Sequence, residues 1–190
     1  SAEAVDPLSA ANVASIDSDP AANRDAAGRA VLHADFGSLP VWGMPYVVVP
    51  ADQTLVPITF TESPAESDPG PYPIPLDAPV QAGGDRHVIV LQAGSCRLWE
   101  ISHAERNSEG WDAGVGAVFN LGSNALRPEG WKSTDEAGLP VLPGLVRYDE
   151  VASGEITHAL RFTVGTTGRG FVLPARHYAT SADPIVPPMG

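Results

Sequence analysis

The chain has 190 residues with 23 acidic against 11 basic side chains, a formal net charge of −12, which argues against a nucleic-acid phosphate backbone as partner. One cysteine, Cys96, excludes an intrachain disulfide, and no apolar run is long enough to span a bilayer. Apolar residues make up 43% and Gly and Pro number 19 each, so the composition is that of one loop-rich globular unit able to bury a core without metal or disulfide staples.

In chain order, Leu8, Val13 and Ile16 offer a short amphipathic turn, and Asp19 followed by Pro20 supplies an N-cap and a first helical position, predicting a helix over 20–32 with Gly28 inside it. Residues 1–35 are expected to form an N-terminal helical segment and 36–190 a β-rich unit. Apolar or alternating runs then follow at 45–49, 55–60, 87–92, 96–101, 115–121, 144–148, 156–164 and 170–173, separated by Gly, Pro, Asp and Asn. Eight such runs predict an all-β or β-dominated sandwich or barrel. The ESDPGPYPIP run, 66–75, has four prolines and is expected as an ordered surface loop forming one wall of a cleft, with Tyr72 exposed. Ser133 and Glu136 have capping-box spacing, and 149–153 can make one helical turn ended by Gly154.

Polar residues gather at three of these runs. Asp85, Arg86 and His87 cluster where Ala82-Gly83-Gly84 opens into VIVL, a strand-end position at which His87 can act as base or ligand and Asp85 can orient it; the ordinary alternative is that Asp85 and Arg86 cap and pair at a surface turn while His87 is a half-buried strand residue. His158 alternates with Ile156, Leu160 and Phe162, which places its ring on an apolar strand face, with Arg161 on the other; a hydrogen-bonded core histidine is the competing reading. Glu100 shares a predicted face with Cys96 and Leu98, where apolar neighbours raise a carboxyl pKa as a general acid requires, although an edge-strand charge has the same spacing. Cys96 itself is expected as a small buried residue.

The expected catalytic set is Glu100, Asp85, His87 and His158. Arg161, Arg127, Asn124, Trp131, Tyr72 and Glu150 add planar, bidentate and stacking groups suited to a sugar, with Trp42, Trp99 and Trp111 as further aromatic platforms. Glu100 and Glu150 would suit glycoside cleavage if opposed across a cleft. The five histidines show no metal-ligand spacing, so a His-bound metal would be assembled from distant strands; Glu62, Glu66 and Asp68 could hold Ca2+ without an EF-hand pattern, and otherwise no cofactor is expected.

The runs WGMPYVVVP, ESDPGPYPIP, GDRHVIVL, SNALRPEGW, AGLPVLPGLVRYDEV, ITHALRFTV and PARHYATS resemble a family of exported bacterial proteins of uncharacterised activity, over roughly 36–190. The resemblance implies export, and a further apolar strand and helix after PPMG. No basic, apolar leader opens the chain, so Ser1 reads as the start of a mature or trimmed chain, or of a cytosolic one. Acidic, lysine-poor composition agrees with export. The function expected is a secreted, carbohydrate-active protein hydrolysing an extracellular polysaccharide or oligosaccharide. The alternatives are a non-catalytic glycan-binding or surface-assembly module and a His-based metal enzyme.

Overall fold

The computed structural model describes residues 7–20, 22–31, 36–38, 41–179 and 186–190. Its helix α1 spans Ser9–Ser18, where only a short turn was expected, and the helix over 20–32 does not form within 22–31. Asp19 is instead the C-terminal cap of α1, with an extended backbone and its N–H on the Ile16 carbonyl, and Pro20 follows it. An Asp-Pro pair ends a helix as readily as it begins one, since proline cannot continue the hydrogen-bond ladder. Residues 22–31 form a loop around Asp25, whose carboxylate accepts the N–H groups of Ala27 and Arg29 and pairs with the Arg29 guanidinium. Leu32 and the expected boundary residue 35 lie outside the described residues.

The strands that follow are β1 (Gly37–Ser38), β2 (Val41–Trp42), β3 (Tyr46–Val49), β4 (Ile58–Phe60), β5 (Val88–Gln92), β6 (Arg97–Ser102), β7 (Glu105–Arg106), β8 (Trp111–Ala113) and β9 (Val115–Asn120). They build a four-stranded sheet in the order β3-β5-β6-β9, a three-stranded sheet β4-β8-β7, and the small pair β1-β2. The protein is therefore sheet-dominated, but it is not a closed barrel, because β3 and β9 are left as opposite ends of the larger sheet.

Strand alternation explains what each face does. Val88, Val90 and Ile101 point to one side, where they pack in a single buried cluster with Trp111 and Ala113 of β8 and, at its margin, Ile58 and Phe60 of β4. Ile89 and Leu98 point to the other side and pack with Val141 and Leu142. In the register Ile89, Glu100 and Ala117 lie side by side across β5, β6 and β9, so the carboxylate of Glu100 rises from the middle of the second face.

The proline-rich run is part of the core rather than a surface wall. Tyr72, Pro73 and Ile74 are fully buried, the Tyr72 ring packs against Phe60 and Trp99, and its hydroxyl donates to the Asp68 carbonyl. Prolines exclude a ladder strand but not burial, since they leave few N–H groups to satisfy. Gly116 makes room for this packing. A Cβ there would meet the Phe60 ring at 2.5 Å.

Three expected strands are absent. Residues 144–148 continue a 3-10 turn (Leu142–Gly144) into helix α2 (Tyr148–Ser153), ended as expected by Gly154 at φ 81. Residues 156–164 form no strand, and 170–173 contribute only an isolated bridge from Phe171 to Met189. The alternation in 156–164 misleads because it has no partner strand. Ile156, Leu160 and Phe162 remain 36%, 48% and 58% exposed. The Ser133 to Glu136 spacing likewise makes a turn, in which the Ser133 hydroxyl accepts the Asp135 N–H and donates to the Leu139 carbonyl. Cys96 is exposed, at φ 50 in the turn joining β5 to β6, and so does not share the buried face of Leu98.

Candidate functional site

The segment 133–142 lies over the second face of the large sheet and gathers three of the expected residues. Glu100 is fully buried there. Its Oε1 accepts the N–H groups of Val141 and Leu142 at 3.0 Å each, and its Oε2 accepts the Thr134 hydroxyl at 2.9 Å. Burial drives its pKa up and the neighbouring Asp135 charge adds to this, while the two backbone donors and Thr134 pull it back down. Both carboxylate oxygens are thus engaged by donors of the covering segment.

His87 reaches the same segment from the start of β5. Its Nε2 lies 2.9 Å from the Thr134 carbonyl and its Nδ1 lies 2.5 Å from Oε1 of Gln81. Burial holds its pKa below the ordinary histidine value, opposed by the Thr134 carbonyl and the charge of Asp85. Arg161 donates through Nε to Asp135 at 2.6 Å, and its guanidinium lies 5.1 Å from the centre of the Phe36 ring. Thr134 and Asp135, adjacent in sequence, are the residues that unite Glu100, His87 and Arg161. Neither stood out, because a Ser-Thr-Asp run in a loop looks like ordinary turn chemistry.

The remaining expected residues go elsewhere. Asp85 is exposed, and its carbonyl accepts the His103 N–H. His158 sits beside α2 rather than on a strand, pairing with Glu150 at 2.9 Å while its Nδ1 contacts the Ala159 carbonyl, so its pKa rises. Glu150 also pairs with Arg147 and accepts the Arg147 N–H, closing the capping box of α2, and these contacts lower its pKa. Glu100 and Glu150 therefore serve separate segments. Arg127 is buried between Phe119 and Trp131, each ring centre within 5.7 Å of the guanidinium, and bonds Asp68, the Glu66 carbonyl and the Lys132 carbonyl. It clamps two loops together. Tyr72 is a core residue, and Asn124 is exposed on the loop after β9.

Metal ligands do not converge. Among the described residues no group of three or more His, Cys, Asp or Glu side chains is placed to hold an ion, and His33 lies outside them. Glu62 pairs with His103, Glu66 accepts the Lys132 N–H, and Asp68 is taken by Arg127 and the Val118 N–H.

An open groove lies apart from all of this. It has a volume of about 300 Å³ and is bordered by Leu76, Asp77, Val80, Arg86, Arg106 and Trp111. Its wall residue Trp111 is buried, with an indole Nε1 that has no hydrogen-bond partner, as is also true of Trp99 in the core. An unsatisfied buried donor of this kind costs about 1–3 kcal/mol. Trp111 stands among the aromatic candidates and Arg86 in the polar cluster before β5, where it pairs with Glu105, whereas Arg106 lies on the short strand β7, which no sequence pattern marks. No helix among the described residues is long and apolar enough to cross a membrane. No family model, curated protein or solved structure matches the chain.

Proposed function

We propose that this is a non-catalytic glycan-binding module that works outside the cell, and that the groove at Arg86, Arg106 and Trp111 is where the glycan sits. The observation that carries the reading is that the groove is bordered by a single carboxylate, Asp77, whereas glycoside cleavage requires two carboxyl groups flanking the scissile bond. Glu100, the carboxyl with a raised pKa, is sealed against Thr134, Val141 and Leu142. A groove of about 300 Å³ with N–H donors, one acceptor and an aliphatic and aromatic wall fits one sugar ring and its hydroxyls. We further take the two larger sheets as layers of a sandwich, since Val88, Val90, Trp111 and Ala113 share one buried cluster, and we keep the exported bacterial family as the parentage.

The test runs retention and cleavage side by side. The protein is passed over immobilised polysaccharides of differing charge and linkage, and soluble reducing ends are measured in parallel. Retention on at least one polysaccharide with no release of reducing ends is the expected outcome. Release that disappears in Glu100→Gln would replace this reading with hydrolysis.

A second reading, surface assembly, is favoured by the apolar side chains that α2 and the following segment leave exposed, among them Tyr148, Val151, Leu160 and Phe162. Sedimentation at rising concentration separates the two. A concentration-dependent oligomer that Phe162→Ser dissolves, together with no retention on any polysaccharide, would favour assembly.

A further inference from the structure

The groove gathers two arginines beside Asp77, with Glu105 paired to one of them. The chain has a formal net charge of −12, yet two of its 11 basic side chains border this one opening. Arg86 is held firmly: its backbone is at φ 47, its Nε donates to the Ala104 carbonyl at 2.9 Å, and the same Nε lies 3.1 Å from a Glu105 oxygen. These contacts tether the guanidinium through Nε, and no hydrogen bond among the described residues engages its two Nη nitrogens. Arg106 is tethered through one nitrogen only, Nη1, to the Leu76 carbonyl at 3.3 Å. Trp111 lies behind the groove wall, 1% exposed, with its indole N–H buried and without an acceptor. The uncommitted donors are the Nη groups of Arg86 and the remaining nitrogens of Arg106, with Asp77 at the border and Glu105 on the Arg86 Nε as the neighbouring carboxylates. A planar guanidinium with free Nη groups is the geometry that takes a carboxylate in a bidentate pair.

We infer that the groove binds a carboxylate carried on a body the size of one sugar ring, with Arg86 and Arg106 on the carboxylate and Leu76 and Val80 against the apolar face of the body. The glycan nature of that body rests on the reading above; the preference for an anion does not. Asp77 would accept a hydroxyl of the ring and exclude a second negative charge beside it. A uronic acid within a polysaccharide and a free small carboxylate share this chemistry.

Titration calorimetry and nitrogen-15 NMR of the full chain, with galacturonate, galactose and propionate as probes, distinguish these sources. Galacturonate is expected to bind roughly tenfold or more tightly than galactose, and to shift one indole N–H resonance assigned to Trp111. Arg86→Gln and Arg106→Gln should each weaken galacturonate by roughly tenfold, whereas Arg97→Gln, which removes an exposed charge on β6 outside the groove, should not. Thermal unfolding of each variant shows that it is folded. Equal affinity for galactose and galacturonate, or binding that both groove variants retain, overturns the anion inference and leaves glycan binding standing. Arginine-dependent binding of propionate without galacturonate keeps the anion site and removes the glycan reading. Absence of any binding by the three probes overturns the inference outright.

Discussion

The Thr134 hydroxyl lies 2.9 Å from Oε2 of Glu100, joining a loop to the middle of β6 across 34 positions of sequence. With the Val141 and Leu142 N–H groups on the same carboxylate, this contact fastens the covering segment to the sheet. Glu100 is thus a fastener whose loss strands its donors.

Glu100→Ala should lower the unfolding free energy by roughly 3 kcal/mol or more, because several buried donors lose their acceptor at about 1–3 kcal/mol each. Glu100→Gln keeps an amide oxygen for the backbone donors and should cost less. Urea unfolding of the three proteins gives the order. Because the folded pKa of Glu100 lies above its ordinary value of 4.5, its stabilising contribution is full below about that pH and is lost as pH rises through the folded pKa. The stability of the natural protein relative to Glu100→Gln should therefore fall on going from acid to neutral pH. An unchanged difference would show that the donors, and not burial, govern the charge state.

His87 has the opposite sign. Its folded pKa lies below 6.5, so its contribution is present above that pH and is lost as pH falls through the folded value. The natural protein should lose stability on acidification over that interval, and His87→Gln should flatten this part of the profile. Denaturant midpoints measured at a series of pH values check it.

Arg127→Met should destabilise by about 3–5 kcal/mol, since it leaves Asp68 charged without its partner and removes donors from the Glu66 and Lys132 carbonyls. The aromatic neighbours Phe119 and Trp131 can pack a thioether, so the loss would report the ion pair and not a void. Guanidinium unfolding of the single variants at Arg127 and Asp68 and of the double variant measures the coupling.

Cys96, exposed in the β5–β6 turn, should react with a thiol reagent in the folded protein at nearly the rate it shows in denaturant. A folded-state rate slower by roughly tenfold or more would mean that the turn is covered.

The strands at 46–49, 88–92 and 97–102 were legible because they are short apolar or alternating runs bounded by turn residues, and each has a neighbour to pair with. The same alternation in 156–164 carried no such information, because pairing is a property of two segments and only one is visible in a local pattern. Burial of Tyr72 was hidden by the prolines around it, whose effect on hydrogen bonding reads like exposure. Glu100 and His87 could be singled out as polar residues at apolar strands, yet the residues that explain them, Thr134 and Asp135, lie in a loop without periodicity. Arg86 and Arg106 meet only through the backbone path between β5 and β7, which no spacing encodes.

The scarcity of strands after α2 sets how the molecule opens. Between residues 156 and 167 one main-chain bond to another segment is described, Arg161 N–H to the Gly144 carbonyl, and Asp135 holds the same arginine by its side chain. Amide protons in that stretch should exchange with solvent orders of magnitude faster than those of β5 and β6, in a partial opening that leaves the four-stranded sheet intact. A protease admitted by that opening would cut within this stretch away from the Arg161 anchor first and release a stable, sheet-containing fragment.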